Sequence, residues 1–149
     1  MNTISARLHK SRHALKPHPV LFIDELPLEK WTKGIVYDAE GVDSTDGLVP
    51  AQGWLLDDRD VDNAWKLLAP REEHSSTIVP ILVCPDDMDM SCVVAVVEQV
   101  TGNQTISWVR AGRAVDVVNG IVTSVAWAVP SQTVVFSREE FTSAVTKLR

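Results

Sequence analysis

Alternating aspartates in the middle of the chain are the residues whose spacing most directly suggests chemistry. Asp58, Asp60 and Asp62 alternate like the first ligands of a calcium-binding loop. That loop requires a glycine at its sixth position and a bidentate acid at its twelfth, where the chain has Asn63 and Ala69. The pattern therefore favours the start of a helix, where acids complement the helix dipole, over a metal site.

A second acidic cluster, Pro85-Asp86-Asp87-Met88-Asp89, joins two stretches with the composition of strands. Pro and Asp are typical of turns, because Pro fixes φ and an Asp side chain accepts hydrogen bonds from nearby backbone. A turn is therefore a better interpretation than a metal site. Its carboxylates can still attract the Lys and Arg of a protein partner, since that attraction needs no particular spacing.

The candidate nucleophiles lack the groups that would activate them. A catalytic cysteine needs a nearby histidine and a third group that orients it, and nothing local ties a histidine to Cys84 or Cys92. Both cysteines lie at the ends of apolar runs, where buried, inert thiols are usual, so we predict reduced thiols. A cross-strand disulfide between them is also open on geometric grounds.

The histidines near the N-terminus also fall short of a site. His9 and His13 would share one face of a helix, with His18 close by, but that segment holds no Asp or Glu as a third ligand or general base. The chain has no nucleophile elbow, Walker loop or dinucleotide-binding glycine motif either. We therefore predict a protein that is not an enzyme and that has no catalytic residues, metal or cofactor.

One tryptophan stands out by its position, because Trp54 directly precedes the aspartates in the run Gly53-Trp54-Leu55-Leu56. An exposed Trp surrounded by negative charge is typical of a protein-binding hot spot, although packing in the core is the ordinary alternative. We predict one negative face built from both acidic clusters and from the acids of residues 38–46. The predicted partner-binding residues are Trp54, Asp57, Asp58, Asp60, Asp62, Asp86, Asp87 and Asp89.

The overall composition agrees with a cationic protein partner. The 149 residues hold 20 Asp and Glu against 14 Lys and Arg, for a formal net charge of −6, which disfavours nucleic acid or an anionic membrane as the partner. The length is that of a single domain, residues 1–149. Residues 1–16 form a basic N-terminal segment, whose composition is compatible with flexibility. The apolar runs are too short for a signal peptide or a membrane-spanning helix, so we predict a cytoplasmic location.

The periodicity of apolar residues predicts an α+β fold. We expect a mainly antiparallel sheet of about five strands, at residues 78–83, 92–100, 105–110, 121–129 and 133–136. Pro80 lacks an N–H for the ladder, so the first of these should lie at an edge or begin there. Helices packed on one side of the sheet should cover residues 60–68 and the C-terminus, where Ser137 and Glu140 match a capping box. The basic segment leaves a short helix over residues 5–15 open.

A family resemblance gives these elements a function. The run PILVCPDDMDMSC (residues 80–92), together with Trp108-Val109-Arg110 in a later strand, resembles small bacterial immunity proteins of contact-dependent inhibition and polymorphic-toxin systems. The resemblance implies a single-domain cytoplasmic protein that binds and neutralises a cognate toxin domain, often a basic nuclease. It would do so by occluding the active site or substrate groove. A shallow, acidic surface with few pockets is expected of such an inhibitor.

Two other classes of function stay open. A small cytoplasmic enzyme could assemble its site from distant carboxylates or from a His–Cys pair, and a deep pocket holding His18 or His74 beside Cys84 would favour it. A homo-oligomeric structural or regulatory subunit would expose a strand or an apolar face instead. An immunity protein is compatible with either a monomer or a homodimer.

Overall fold

The computed structural model describes residues 1–11, 14–33, 48–129 and 133–149. Within these ranges it contains nine strands and four helices, which confirms the predicted α+β class and the C-terminal helix. The strands are β1 (Ile4–His9), β2 (His18–Ile23), β3 (Leu26–Pro27), β4 (Val49–Pro50), β5 (Ser76–Val83), β6 (Val94–Thr101), β7 (Thr105–Val118), β8 (Ile121–Trp127) and β9 (Val134–Ser137). The helices are α1 (Leu28–Trp31), α2 (Ala51–Trp54), α3 (Asp58–Leu68) and α4 (Arg138–Leu148).

Two antiparallel sheets share these strands. The larger sheet has six strands in the order β4-β5-β6-β7-β8, with β9 also paired to β7. The long strand β7 accommodates two partners in succession, since residues 105–108 pair with β9 and residues 112–118 pair with β8. The smaller sheet, β1-β2-β3, adds to the single sheet of about five strands that the sequence predicts.

The N-terminal residues depart from the helix left open for residues 5–15. Residues 4–9 form β1 and pair with β2, from Ile4 opposite Ile23 to His9 opposite His18. Ile4 and Ala6 pack on the core, whereas the Arg7 and Ser5 side chains hydrogen-bond to each other. This alternation with a period of two is that of a half-buried strand, and it outweighs the four-residue spacing of the histidines.

The later strands lie close to their predicted positions, with one large difference. β7 continues to Val118, well beyond the predicted end at Arg110. Arg113 and Asp116 interrupt its apolar pattern, because this half of the strand is only partly covered. β8 follows it after a tight turn at Asn119 and Gly120, whose φ angles are +52° and +78°.

Pro80 lies in a strand that is not at the edge of its sheet, since β5 lies between β4 and β6, but one side of β5 is open at this residue. β4 pairs only with Leu82 and Val83 of β5, so the rest of β5 has no strand on that side among the described residues. The Gln52 side chain occupies the position instead, with its Nε2 donating to the Pro80 carbonyl at 2.9 Å. No strand lies opposite Pro80 on this side among the described residues, so its missing N–H costs the sheet no hydrogen bond.

The six-stranded sheet has a different core on each side, as the alternation along β6 shows. Ala95 and Val97 belong to an aromatic core, which joins the sheet to β1, β2, α1 and α4. Val94 and Val96 belong to an aliphatic core, which lies beneath α2 and the first turns of α3. The largest members of the aromatic core are Trp31, Trp108, Phe136 and Phe141, and those of the aliphatic core are Val49, Leu55, Met90 and Val122.

One buried amide links the sheet to the end of α3. Gln99 is 1% exposed, and its Nε2 donates to the Leu68 carbonyl at 2.8 Å. Its Oε1 accepts from Trp108 Nε1 at 3.0 Å. The amide therefore satisfies both a helix-terminal carbonyl and a buried indole N–H, each of which would otherwise be costly to bury.

The last helix begins at the predicted cap. Ser137 Oγ accepts from the Glu140 N–H at 3.3 Å, whereas the Glu140 carboxylate turns away and accepts from the Ile4 N–H at 3.3 Å. The predicted capping box is thus half formed, and its acid links α4 to β1. None of the helices in the described ranges is long and apolar enough to cross a membrane.

Candidate functional site

The two acidic clusters meet at one hydrogen bond. The Leu56 N–H, just before α3, donates to the Met88 carbonyl of the β5–β6 loop at 3.2 Å. This bond brings the start of α3, with Asp57 and Asp58, beside the loop that carries Asp86, Asp87 and Asp89. The negative face predicted from both clusters therefore has a structural basis. Its further acids at positions 38, 40, 43 and 46 lie outside the described residues.

Asp57 is the N-cap of α3. Its Oδ1 accepts from the Arg59 and Asp60 N–H groups at 3.0 and 3.2 Å. Two of the helix's otherwise unpaired donors are satisfied in this way, and the negative charge stabilises the positive end of the helix dipole. The predicted helix start is confirmed within two residues, and the cap holds an exposed carboxylate in place.

Asp60 differs from its neighbours because only 8% of it is exposed. It lies beneath the β7–β8 turn, where a Cβ on Gly120 would come within 2.6 Å of Asp60 Oδ1. Burial, reinforced by the nearby negative charges of Asp57 and Asp89, raises the pKa of Asp60 above its ordinary value. Asp60 thus adds charge to the face but offers little surface for contact.

The β5–β6 loop is closed by a disulfide between Cys84 and Cys92, whose Cα atoms are 6.1 Å apart. The prediction of reduced thiols is therefore wrong, because the two strand ends bring the cysteines within bonding range. Inside the loop, Asp89 Oδ1 accepts from the Ser91 hydroxyl and the Ser91 N–H, at 2.6 and 2.9 Å. These bonds lower the pKa of Asp89, so its carboxylate stays charged in mildly acidic solution.

An exposed leucine lies at the centre of this arrangement. Leu56 is 68% exposed, between the buried Leu55 and the capping Asp57. We call Leu56 with the exposed or half-buried carboxylates around it the acidic face, which comprises Leu56, Asp57, Asp58, Asp86, Asp87 and Asp89. The sequence does not single out Leu56, because the residue before an N-cap usually packs back onto its own helix.

Two predicted site residues lie away from the acidic face. Trp54 is half-buried and meets the His18 ring edge-on, with ring centroids 6.0 Å apart, at the wall of a cleft. Asp62 lies one turn further along α3 and lines a small cavity with Trp65 and Arg149. Trp54 therefore lines the cleft and is not one of the residues of the acidic face.

A chain of hydrogen bonds joins Ser11, His18 and Glu29 at the end of the smaller sheet. Ser11 is 1% exposed, and its Oγ lies 2.8 Å from His18 Nε2 and 2.5 Å from Glu29 Oε1. A carboxylate only accepts, so the hydroxyl donates to Glu29 and His18 donates to Ser11. An activated serine needs the opposite arrangement, with histidine accepting the hydroxyl proton. The geometry is that of a buried structural serine.

Cys84 and His74, which the enzyme alternative would use, have other contacts in the structure. Cys84 is bonded to Cys92, and His74 is an exposed residue beside Glu73. No group of three His, Cys, Asp or Glu in the described ranges is arranged to hold a metal ion. The described residues do form a cleft of about 810 Å³ and an adjoining cavity of about 490 Å³, contrary to the expected scarcity of pockets.

The chain matches no model of a protein family, no curated protein and no solved structure.

Proposed function

We propose that this chain is a binding protein that neutralises a partner with a cationic surface, as an immunity protein neutralises a bacterial toxin domain. The observation that supports the proposal is the Leu56–Met88 hydrogen bond, which unites two acidic clusters distant in sequence around an exposed leucine. Such a face pairs an apolar centre with a charged surround, the composition of protein-binding surfaces.

The charges and the leucine have separate tasks in this proposal. The carboxylates attract a basic surface over long range and raise the association rate. Leu56 packs against the partner and excludes water from the contact, which lengthens the lifetime of the complex. Neutralisation follows from occlusion of the toxin's active site or substrate groove, so no bond is made or broken.

The first experiment measures protection of cells. The chain is co-expressed with the toxin domain encoded by the neighbouring gene, and growth is compared with cells that express the toxin alone. Rescue of growth supports the proposal, whereas equal killing with and without a folded, well-expressed chain would overturn it.

A second experiment separates local from overall charge. The variant D58N/D86N/D87N removes three exposed carboxylates that have no side-chain hydrogen bond or ion pair with the described residues. The matched control E72Q/D116N/E139Q removes three exposed carboxylates outside the acidic face. We expect association with the toxin domain to slow about tenfold at low salt in the first variant, and less than twofold in the control. Equal slowing in both would assign the effect to net charge alone.

Leu56 gives an independent readout. L56S should leave the association rate unchanged and shorten the lifetime of the complex about tenfold, because the leucine contributes short-range contact. An unchanged lifetime would remove Leu56 from the proposed interface.

A cytoplasmic location belongs to the same proposal. Paired cysteines are more usual in oxidising compartments, so the redox state in the cell is informative. Cells are quenched in acid and their free thiols alkylated, and the mass of the chain then reports the fraction of disulfide. If the chain is cytoplasmic, the cellular thiol pool should keep part of the Cys84–Cys92 disulfide reduced, and full oxidation in growing cells would count against that location.

The homo-oligomer alternative is favoured by one feature. The β7–β8 hairpin exposes Val115, Val118 and Ile121, and β8 ends the order of strands in its sheet. An apolar edge strand is a common site of pairing between copies. Light scattering of the purified chain would show a dimer if this face is occupied, and V118K should then restore the monomer.

A further inference from the structure

The cleft beside Trp54 is built from three separate parts of the chain. It has a volume of about 810 Å³. Its wall comprises residues 14–16, 18 and 19 near the N-terminus, residues 50, 52–54 and 65 in and before the α2–α3 region, and Leu148 and Arg149 at the end of α4. This volume is within the usual range of small-molecule sites, of roughly 300–1,000 Å³. The proposed immunity function assigns no task to this cleft.

The walls of the cleft are mainly apolar and aromatic. Trp54 and Trp65 are both half-buried, and Pro19, Pro50 and Leu148 complete the apolar lining. His18 belongs to the same wall, with its Nε2 engaged by Ser11 and its ring edge-on to Trp54. Indole rings offer flat, polarisable surfaces, so the lining favours a ligand with an aromatic body.

The charged side chains that line the cleft are all cationic, although Arg149 also lines the adjoining cavity with Asp62. Among the twelve lining residues described, Lys16 and Arg149 are cationic and none has an acidic side chain, in a chain with a net charge of −6. Lys16 is exposed and forms no ion pair with the described residues. The Arg149 guanidinium lies 4.7 Å from the centre of the Trp65 ring, which leaves its N–H donors available to an anion.

We propose that this cleft binds a small organic anion, whose aromatic body packs on Trp54 and Trp65 and whose acidic group faces Lys16 and Arg149. The charge of the lining is opposite to that of the acidic face, so the two surfaces select different partners. His18, which also lines the cleft, has its Nε2 engaged by Ser11, so we assign the cleft a role in binding alone.

Two dyes that differ in one acidic group test the proposal. 8-Anilinonaphthalene-1-sulfonate carries a sulfonate, and N-phenyl-1-naphthylamine has the same aromatic body without it. Both brighten in apolar sites, so their fluorescence reports binding to the full chain. We expect the sulfonate to bind with a Kd of about 10–50 μM and the neutral dye at least fivefold more weakly.

Variants locate the binding. K16Q and R149Q should each weaken the sulfonate about fivefold and leave the neutral dye unchanged, because each removes one partner of the acidic group. W65L should weaken both dyes, since it removes a wall of the site. K30Q, which removes an exposed lysine on α1 outside the cleft, is the matched control and should change neither. Unchanged thermal midpoints establish that the variants are folded.

Three results would overturn the proposal. These are absence of sulfonate binding at millimolar concentration, equal affinity for the two dyes, and equal weakening by K30Q and K16Q. None of them affects the growth-rescue test, so this inference and the immunity function fail independently.

Discussion

The two sides of the six-stranded sheet differ in what covers them and in what they support. On one side the aromatic core places Trp31 and Phe136 within 5.5 Å of the Trp108 ring, beneath the smaller sheet and α4. On the other side the fully enclosed core is aliphatic and lies beneath α2 and α3, close to the acidic face. The difference suggests that stability resides mainly in the aromatic side, so that the acidic face can vary without unfolding the chain.

The strongest test of this comparison is a truncation on each side. W108A should lower the free energy of unfolding by about 3–5 kcal/mol, because it leaves a large cavity and a Gln99 oxygen without its donor. V96A, at an equally buried position on the aliphatic side, should cost about 2 kcal/mol. Denaturant unfolding measures both. Equal losses would show that the two cores contribute alike.

The disulfide of the β5–β6 loop should have the next largest effect. Replacing both cysteines by serine should lower the free energy of unfolding by roughly 2–3 kcal/mol, since the cross-link closes a short loop in the unfolded chain. Thermal unfolding with and without reductant measures this, and the double variant, which reductant cannot affect, is the control. An identical midpoint for the oxidised and reduced chain would contradict the expectation.

The two helix caps give a matched pair of smaller effects. D57A on the aliphatic side and S137A on the aromatic side should each cost about 1 kcal/mol, because each leaves N–H groups of a first turn unpaired. D57S keeps the cap and removes the charge, so it should recover most of that loss. If D57S is as unstable as D57A, charge and not capping is the function of this residue in folding.

The smallest effect concerns the charge of Asp60, and it depends on pH. Its pKa is raised in the folded chain, so the folded state loses stability as the pH rises from the ordinary value of 3.8 through that raised pKa. D60N should therefore stabilise the chain at pH 7, by about 0.5 kcal/mol, and the gain should vanish below pH ~3.5.

Asp89 has a lowered pKa, so D89N should be destabilising at pH 7. Thermal midpoints across pH 3–7 test both signs.

The predictable parts of the fold are those with local signals. Helix α4 has an N-cap serine and apolar residues at helical spacing, and β5 and β6 are runs of β-branched residues, so each is visible within about ten positions. The smaller sheet is not, because the inward-facing residues Ile4 and Ala6 are only two and the basic residues Arg7 and Lys10 follow them closely. β7 loses its pattern at Arg113 and Asp116, where the sheet is partly uncovered.

The candidate site divides in the same way. That the aspartates at positions 57, 58, 62, 86 and 87 are exposed follows from composition and turn chemistry. The two acidic clusters come together through the Leu56–Met88 hydrogen bond, and Asp60 is buried by the turn at Gly120. Both are contacts between segments that are remote in sequence, so local patterns do not predict them. The cleft is likewise hidden in the sequence, since its cations Lys16 and Arg149 lie near opposite ends of the chain.

The buried amide of Gln99 has a consequence for how this chain can change over generations. Replacing Gln99 with leucine would leave the Leu68 carbonyl and the Trp108 indole N–H without hydrogen-bond partners. No single further substitution would restore both hydrogen bonds. Positions 99 and 108 therefore constrain each other, and related chains should keep a side chain with both a donor and an acceptor at position 99 wherever position 108 is Trp.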